Sequence, residues 1–400
     1  RFWAMASAFG ATASSSKPTT LIIGGSVTGL SVGLALSSKG FRVHVVEKEQ
    51  NPWSTETADQ GSLEPVFFNK PSLECLAAWG VKDFGPFAER DKPLDIRSWS
   101  GRLLRRMFLN GVTLRWQDAV QVLHEHLKAR DAVIDFGRRC TDFIDVGWGA
   151  VAEMADNSRA NGDVLIGADG MESTVRHKIV TDDSGLRPLG IVEWTGTLRD
   201  TGIFAGINDA FNIFLGPGAH VVTSRFPSGL ISWSLFLPPP PDAVLVQDLD
   251  RVSPYAEAYA AMCKFIIDTP ILKQLSRLIL ETETVRRMAV CDRHPSRVWG
   301  HGRAMLLGHA AHSISGFNLD GANHAVADAA ALAASLYNLR IPEELVIALE
   351  RCQERRMNET RVAVLEARKT GWARMNADVD WERATTDELT EAQVITETCD

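Results

Sequence analysis

The spacing of apolar residues changes along the chain, and each change marks an element. Thr20 to Gly24 is a short apolar run of the buried-strand type. Ser26 to Lys39 has helical spacing, and Phe41 to Glu47 alternates β-branched and polar residues as a second strand. Together these segments predict a βαβ unit. Pro71 opens a helix through Leu76 and Ala77 that Gly80 stops, and Trp116 to Leu127 reads as another helix. Between about Thr195 and Pro241 the period shortens to two, in Phe211 to Leu215, His220 to Phe226 and Leu230 to Leu237, with Gly and Pro between the runs. This pattern predicts an inserted antiparallel sheet. Pro238 to Pro241 is a stiff connector, after which Val252 to Leu280 returns to helical spacing. Leu345, Leu349 and Cys352, then Val362 and Leu365, predict one or two long C-terminal helices.

With 400 residues, two lobes sharing one chain are expected. The expected organisation is a leader at 1–18, a nucleotide-binding lobe at 19–190 and a substrate domain at 191–295. The first lobe then resumes with the C-terminal helices at 296–377, and an acidic tail follows at 378–400. The fold class is α/β. The composition, 45% hydrophobic and 23% charged, supplies a core and argues against disorder. A net charge of -8 without a dense Lys/Arg block gives no footprint for nucleic acid or an anionic membrane. Six scattered cysteines form no CxxC pair, which fits a reducing, cytoplasmic setting and no metal site. No apolar run reaches transmembrane length.

Three motifs carry the chemistry. The first, Leu21-Ile-Ile-Gly24-Gly25-Ser26-Val27-Thr28-Gly29-Leu30, runs from a strand through a small-residue turn into a helix. A pyrophosphate site needs a glycine for the tight turn (Gly24), a small residue where backbone approaches phosphate (Ser26) and a glycine for close helix packing (Gly29). Glu47 closes the next strand, where a carboxylate can accept ribose hydroxyl bonds, and Lys48 follows it. A serine at the second glycine position leaves a plain glycine-rich turn as the alternative. The second motif is Val164-Leu-Ile-Gly167-Ala168-Asp169-Gly170-Met171-Glu172-Ser173-Thr174-Val175-Arg176. The third is Gly302-Arg303-Ala-Met-Leu-Leu-Gly308-His309-Ala310-Ala311-His312, followed by Gly321-Ala322-Asn323 and Asp328.

With the three motifs in this order, the chain resembles the FAD-dependent aromatic hydroxylases over roughly Thr20 to Lys369. The Gly24-Gly25-Ser26 turn and Val192-Glu193-Trp194-Thr195-Gly196 look most like the dihydroxypyridine hydroxylase subgroup. The resemblance implies a Rossmann-like FAD-binding domain, FAD as cofactor, and NAD(P)H and O2 as co-substrates. The substrate would be a small electron-rich aromatic or heteroaromatic compound, in a setting such as secondary metabolism. It also implies that Asp169, Gly170 and Arg176 support the dinucleotide region and the approach of the nicotinamide cofactor, that Gln121 touches the flavin phosphates or ribityl chain, and that Gly308 and His309 lie along FAD. The helix starting at Gly321, with Ala322 and Asn323, would aim its positive end at the flavin pyrimidine ring. Asp169 and Arg176 also fit a plain turn residue and a surface partner.

The sequence departs from the family pattern where the reactive ring would lie. His309 replaces the usual Asp of the third motif, Ser315 and Gly316 replace a proline-rich approach, and Asp320 replaces a frequent Gln. These departures make His309, His312 and Asp320 candidate proton-handling groups, with a cyclase or isomerase as the rival function and a silent ligand-binding protein as a third. His312 equally fits a satisfied helix-end histidine. His220, Arg225 and Trp233 are candidate substrate contacts on the predicted sheet, although their alternation also fits ordinary strand faces. His294 and His301 read as solvated.

Overall fold

The computed structural model describes residues 18–50, 64–202, 209–239, 255–269, 271–337, 339, 344–385 and 389. Residues 1–17 of the expected leader, the end of the proline connector and nearly all of the tail beyond 385 lie outside the described residues. The chain begins with β1 (Thr19–Ile23), α1 (Val27–Ser37) and β2 (Arg42–Val46). Nine residues of α1 are buried, glycine and serine among them, as expected for a helix enclosed on all sides. Next come β3 (Pro65–Asn69), α2 (Lys70–Ala78), β4 (Glu89–Ser98), β5 (Leu103–Arg115), α3 (Trp116–Lys128) and β6 (Val133–Asp135). The Asn69 side chain caps α2 by accepting from Ser72 N–H, Pro71 occupies its first turn, and Gly80 just beyond it has φ +90°.

A small meander, β7 (Cys140–Asp145), β8 (Ala150–Met154) and β9 (Arg159–Gly162), leads into β10 (Val164–Gly167) and α4 (Thr174–Ile179). Then follow β11 (Arg187–Arg199), β12 (Phe211–Gly216), β13 (Ala219–Arg225), β14 (Leu230–Leu237), α5 (Tyr255–Asp268), α6 (Lys273–Leu280) and β15 (Val285–Asp292). The last elements are β16 (Gly300–His301), β17 (Ala304–Leu306), α7 (Gly321–Leu336) and α8 (Glu344–Arg374).

The strands make a six-stranded sheet ordered β16-β17-β10-β1-β2-β6 and an eight-stranded sheet ordered β15-β11-β14-β13-β12-β4-β5-β3. In the first, β17, β10, β1, β2 and β6 run parallel and only β16 is reversed. The larger sheet is antiparallel except where β12 pairs with β4. It therefore draws β3, β4 and β5 from a region that a division at residue 191 assigns to the nucleotide lobe. Trp381, Ala384 and Leu389 are buried in an apolar cluster with Ile96, Phe211 and Ile213, so the start of the expected acidic tail is part of the core.

α8 ties the lobes together. Leu345, Leu349 and Cys352 pack into the nucleotide-lobe core. Arg356 Nε donates to Asp328 (2.7 Å), Arg368 Nε to Asp292 at the end of β15 (2.7 Å), and Arg374 Nη1 to the Phe317 carbonyl (2.9 Å). Among the described residues no helix is long and apolar enough to cross a membrane.

Candidate active site

One cavity of about 830 Å³ runs from the first glycine turn, past the N-terminus of α7, to the inner face of the eight-stranded sheet. At the turn it meets backbone. Gly24 has φ +105°, and a Cβ there would lie 2.3 Å from the Ala168 carbonyl oxygen. A Cβ on Gly29 would lie 1.9 Å from the Gly24 carbonyl oxygen, so Gly29 keeps α1 close against the turn without lining the cavity itself. Gly25, Ser26 and the first residues of α1 line this end, where the leading N–H groups of a helix have no intrahelical partner.

The Glu47 carboxylate is pinned there. Gly25 N–H donates to its Oε2 at 2.6 Å and Glu49 N–H to its Oε1 at 2.9 Å. Each oxygen keeps a lone pair for a ribose hydroxyl. Lys48 lines the same end with its side chain half exposed. Asp169 also lines the cavity and holds the second motif's turn, accepting from Ser173 Oγ at 2.5 Å and from Val175 N–H at 3.2 Å. Burial pushes its carboxyl above the usual range, against these hydrogen bonds.

Between the nucleotide turn and the sheet, the cavity is bounded by the third motif and the loop into α7. His309, Asp320, Gly321 and Ala322 line it. His309 Nε2, Ser315 Oγ and Asn318 Oδ1 are buried without a protein partner. Burial, and then the neighbouring His312, lower the His309 imidazole to about 4, so it is neutral at physiological pH. Burial raises the Asp320 carboxyl, although Asn323 Nδ2 donates to it at 3.2 Å. Leu319, just before α7, has φ +58°, a left-handed conformation unusual for a branched aliphatic residue. Close-approach backbone at the glycine turn and unpaired polar atoms beside α7 suit a long dinucleotide such as FAD.

Several expected contacts fall elsewhere. Gln121 points along α3 to Glu125 (3.0 Å), and it is Gln117, one turn earlier, that lines the cavity. Arg176 is 1% exposed, salt-bridged to Asp183 (2.9 Å) and donating to the carbonyls of Ala310 and Ala311 (3.0 Å each), so it clamps the second motif to the third. Gly308 has φ +58° beside Thr28 and shapes the turn from behind. Asn323 is a buried brace, accepting from Asn69 N–H at 3.0 Å. His312 lies behind the cavity wall with its Nε2 2.6 Å from Asp328 Oδ2, the same oxygen that accepts from Gly308 N–H at 2.9 Å. It is therefore a structural histidine.

The substrate candidates move as well. Trp233 faces α5 and α6 on the reverse of the sheet, its Nε1 donating to Thr282 Oγ1 at 2.9 Å. Arg225 is 45% exposed and salt-bridged to Asp200 and Asp209. His220 stacks behind Phe236, ring centroids 4.3 Å apart, and does not reach the cavity. Burial, and then Arg374, hold its imidazole well below the usual range.

Phe67, Leu94, Ile96, Met107, Leu109, Phe211, Ile213, Val222 and Phe236 make the sheet end of the cavity an apolar chamber, with Glu64, Glu193 and Ser234 as its polar exceptions. Chain periodicity does not pick out the cavity side of β11, β13 and β14, because α5 and α6 cover their other face with apolar residues. Glu193 enters the sequence reading only as part of a motif.

The FAD binding domain family matches residues 17–216, half of the chain. The FAD-dependent urate hydroxylase of Klebsiella pneumoniae is 28% identical over 87% of this chain and 88% of its own length. Among solved structures, a K. pneumoniae protein complexed with FAD and uric acid superposes with a TM-score of 0.76 at 21% identity, covering 95% of this chain and 94% of that one. The 2,6-dihydroxypyridine-3-hydroxylase of Arthrobacter nicotinovorans gives 0.77 at 18% identity, covering 92% and 95%.

Proposed function

The chain belongs to the FAD-dependent aromatic hydroxylase family, and from that membership we propose an NAD(P)H-dependent monooxygenase that hydroxylates or epoxidises a small electron-rich aromatic or heteroaromatic compound. The observation that carries this reading is the continuity of the cavity. The end of the cavity at the glycine turn continues, past the N-terminus of α7, into the apolar chamber on the sheet. FAD, when bound, supplies hydride acceptance and oxygen activation.

The protein's part is positional. Gly24, Gly25 and Ser26 would receive the pyrophosphate against the positive end of α1, and Glu47 would hold the ribose. Gly321 and Ala322 open α7, whose N-terminal N–H groups would stabilise negative charge on the flavin ring. Phe236 and Phe317, with ring centroids 5.4 Å apart, screen the junction between channel and chamber from water. The chamber walls would hold an aromatic substrate edge-on to that junction. A uric acid complex in a structural neighbour supports a planar heterocycle as the kind of ligand.

The second reading is a rearrangement without net oxygen insertion. It is favoured by one observation, the neutral and unpartnered Nε2 of His309 on the cavity wall. Purified protein reconstituted with FAD decides between the two. Monooxygenation predicts a yellow protein that consumes NAD(P)H and O2 together and adds one oxygen atom to an aromatic test substrate. Product formed without O2 and without NAD(P)H would overturn it.

A further inference from the structure

The polar corner of the chamber is built at one place on the sheet. Along β11, Val192 and Trp194 pack against the apolar cluster of α5 and α6, so Glu193 between them turns to the cavity. It pairs across the sheet with Phe236 on β14 and with Met288 on β15, and both of these also line the cavity. Phe236 in turn packs on Phe317 of the loop leading into α7, so Glu193 lies one strand away from the junction with the flavin channel. Ser234, two residues before Phe236 on β14, shares a hydrogen bond with the Glu193 carboxyl. Glu64, at the entry to β3, is exposed and lines the same cavity.

Of the four cations that line the cavity among the described residues, three lie at the nucleotide end and Arg374 lies by Phe317 at the junction. Lys48, Arg138 and Arg139 line the nucleotide end, and Arg374 donates to the Phe317 carbonyl. Arg286, opposite Thr195 on β15, acts on Glu64 from outside the cavity lining. On β14 and β15 beside Glu193 the lining is Ser234, Phe236, Met288 and Ala289, with no cation among them.

We infer that Glu193 and Glu64 form a recognition corner for a positively charged nitrogen, and that the substrate is an aromatic or heteroaromatic amine whose ring lies on the apolar wall. This inference rests on the monooxygenase reading only for which end of the cavity receives the substrate. Two carboxyls facing one cavity repel one another, and a cation seated between them turns that repulsion into two attractions. A neutral ring would leave both carboxyls desolvated without compensation, and a carboxylate-bearing ring would add a third negative charge. Burial, and then the Glu64 charge, push the Glu193 carboxyl up to about 7; Arg286 acts on Glu64, but no cation is among the groups that act on Glu193.

The test is equilibrium dialysis of the FAD-loaded protein at about pH 8, above the value of about 7 of the Glu193 carboxyl, against tryptamine and its acidic counterpart indole-3-propionate. The expected result is that tryptamine binds at least about tenfold more tightly, and that Glu193→Gln and Glu64→Gln each cut this preference by about fivefold or more. Should Glu193→Gln fail to retain FAD, the Glu64→Gln protein alone decides. Equal affinities, tighter binding of the acid, no saturable tryptamine binding, or an unchanged preference in the FAD-loaded variants would each overturn the inference. No turnover is read, so an enzyme that failed the oxygen and NAD(P)H test could still show the amine preference, and a true monooxygenase could still lack it.

Discussion

At the nucleotide end the cavity is built on backbone, in the Gly24 to Ser26 turn and the first turn of α1, with Glu47, Lys48, Arg138 and Arg139 around it. At the substrate end it is built on side chains standing on a sheet, apolar apart from Glu64, Glu193 and Ser234. A backbone site depends on the absence of side chains: a Cβ at Gly29 would meet a carbonyl oxygen at 1.9 Å, so few sequences can build it and it shows as a motif. A side-chain wall accepts many residues of similar size at each position, which lets substrate choice change without disturbing the fold. The third motif lies between the two. Its turn is backbone, but it is held from behind by the buried network of Asp328, His312 and Arg356.

Breaking that network tests how far the cavity depends on support it does not touch. Burial alone would raise the Asp328 carboxyl, but His312 and Arg356 outweigh it and hold it at about 2. Asp328→Asn would leave the Arg356 charge buried beside a neutral amide, with only Glu359 as an acidic partner, at an expected cost of about 3 kcal/mol in unfolding free energy. The folded pKa lies below the unfolded one. The stabilisation is therefore present in full above about pH 4 and is lost as pH falls towards 2. Denaturant titrations of both proteins between neutral and acid pH should show the difference shrinking at the acid end. Equal stability at neutral pH would mean that the third motif stands without this network.

The same division governs what could be read from the sequence. The βαβ turn, Glu47, the Asp169 turn and the two-residue period of β12 to β14 were legible because each is imposed by local geometry. The role of Trp233 was not. Strand alternation separates two faces, but α5 and α6 cover the reverse of this sheet, so both faces are apolar and neither is marked as the cavity. Gln121 and Gln117 differ by one turn of a correctly expected helix, and only the packing of α3 decides which of them meets the cavity. Arg176 and His312 carry reactive groups, yet their partners, Asp183, Ala310 and Asp328, come into contact only in the folded chain. The early crossing of β3 to β5 into the larger sheet was hidden for a similar reason, since their register with β12 is a long-range property.

A smaller effect is expected from Glu47→Ala, which removes a side chain at the backbone-built end. The lost ribose bonds are charge-assisted, so FAD affinity should fall by about 10- to 100-fold, while the apoprotein should melt nearly as before. Titration of apoprotein with FAD, followed by flavin fluorescence, measures the first quantity, and a thermal scan measures the second. An unchanged dissociation constant would show that the backbone alone holds the adenosine half, and the contrast between the two ends would become sharper.

The smallest shift, and the most informative about chemistry, is expected at His309, where the backbone turn presents a single side chain to the cavity. A Cβ on Gly321 would lie 3.1 Å from His309 Nε2, so the imidazole crowds the start of α7. His309→Asp replaces it with a shorter group whose charge the helix N-terminus favours and which the nearby acids Asp320 and Asp328 oppose. These opposing contributions leave a modest gain, about 1 kcal/mol or roughly fivefold tighter FAD, from one charge-assisted hydrogen bond. In a monooxygenase whose flavin site is merely loosened by the histidine, turnover should survive the change. If His309 instead moves a proton in a rearrangement, turnover should fall by about 10² to 10⁴ while FAD binding improves, because proton transfer by a positioned base commonly contributes that factor. Pairing the FAD titration with product formation under air and under nitrogen separates the two cases. Tighter FAD with oxygen-dependent turnover preserved would place His309 with the backbone-built end, as a tuning residue. Tighter FAD with turnover abolished would make it part of the chemistry.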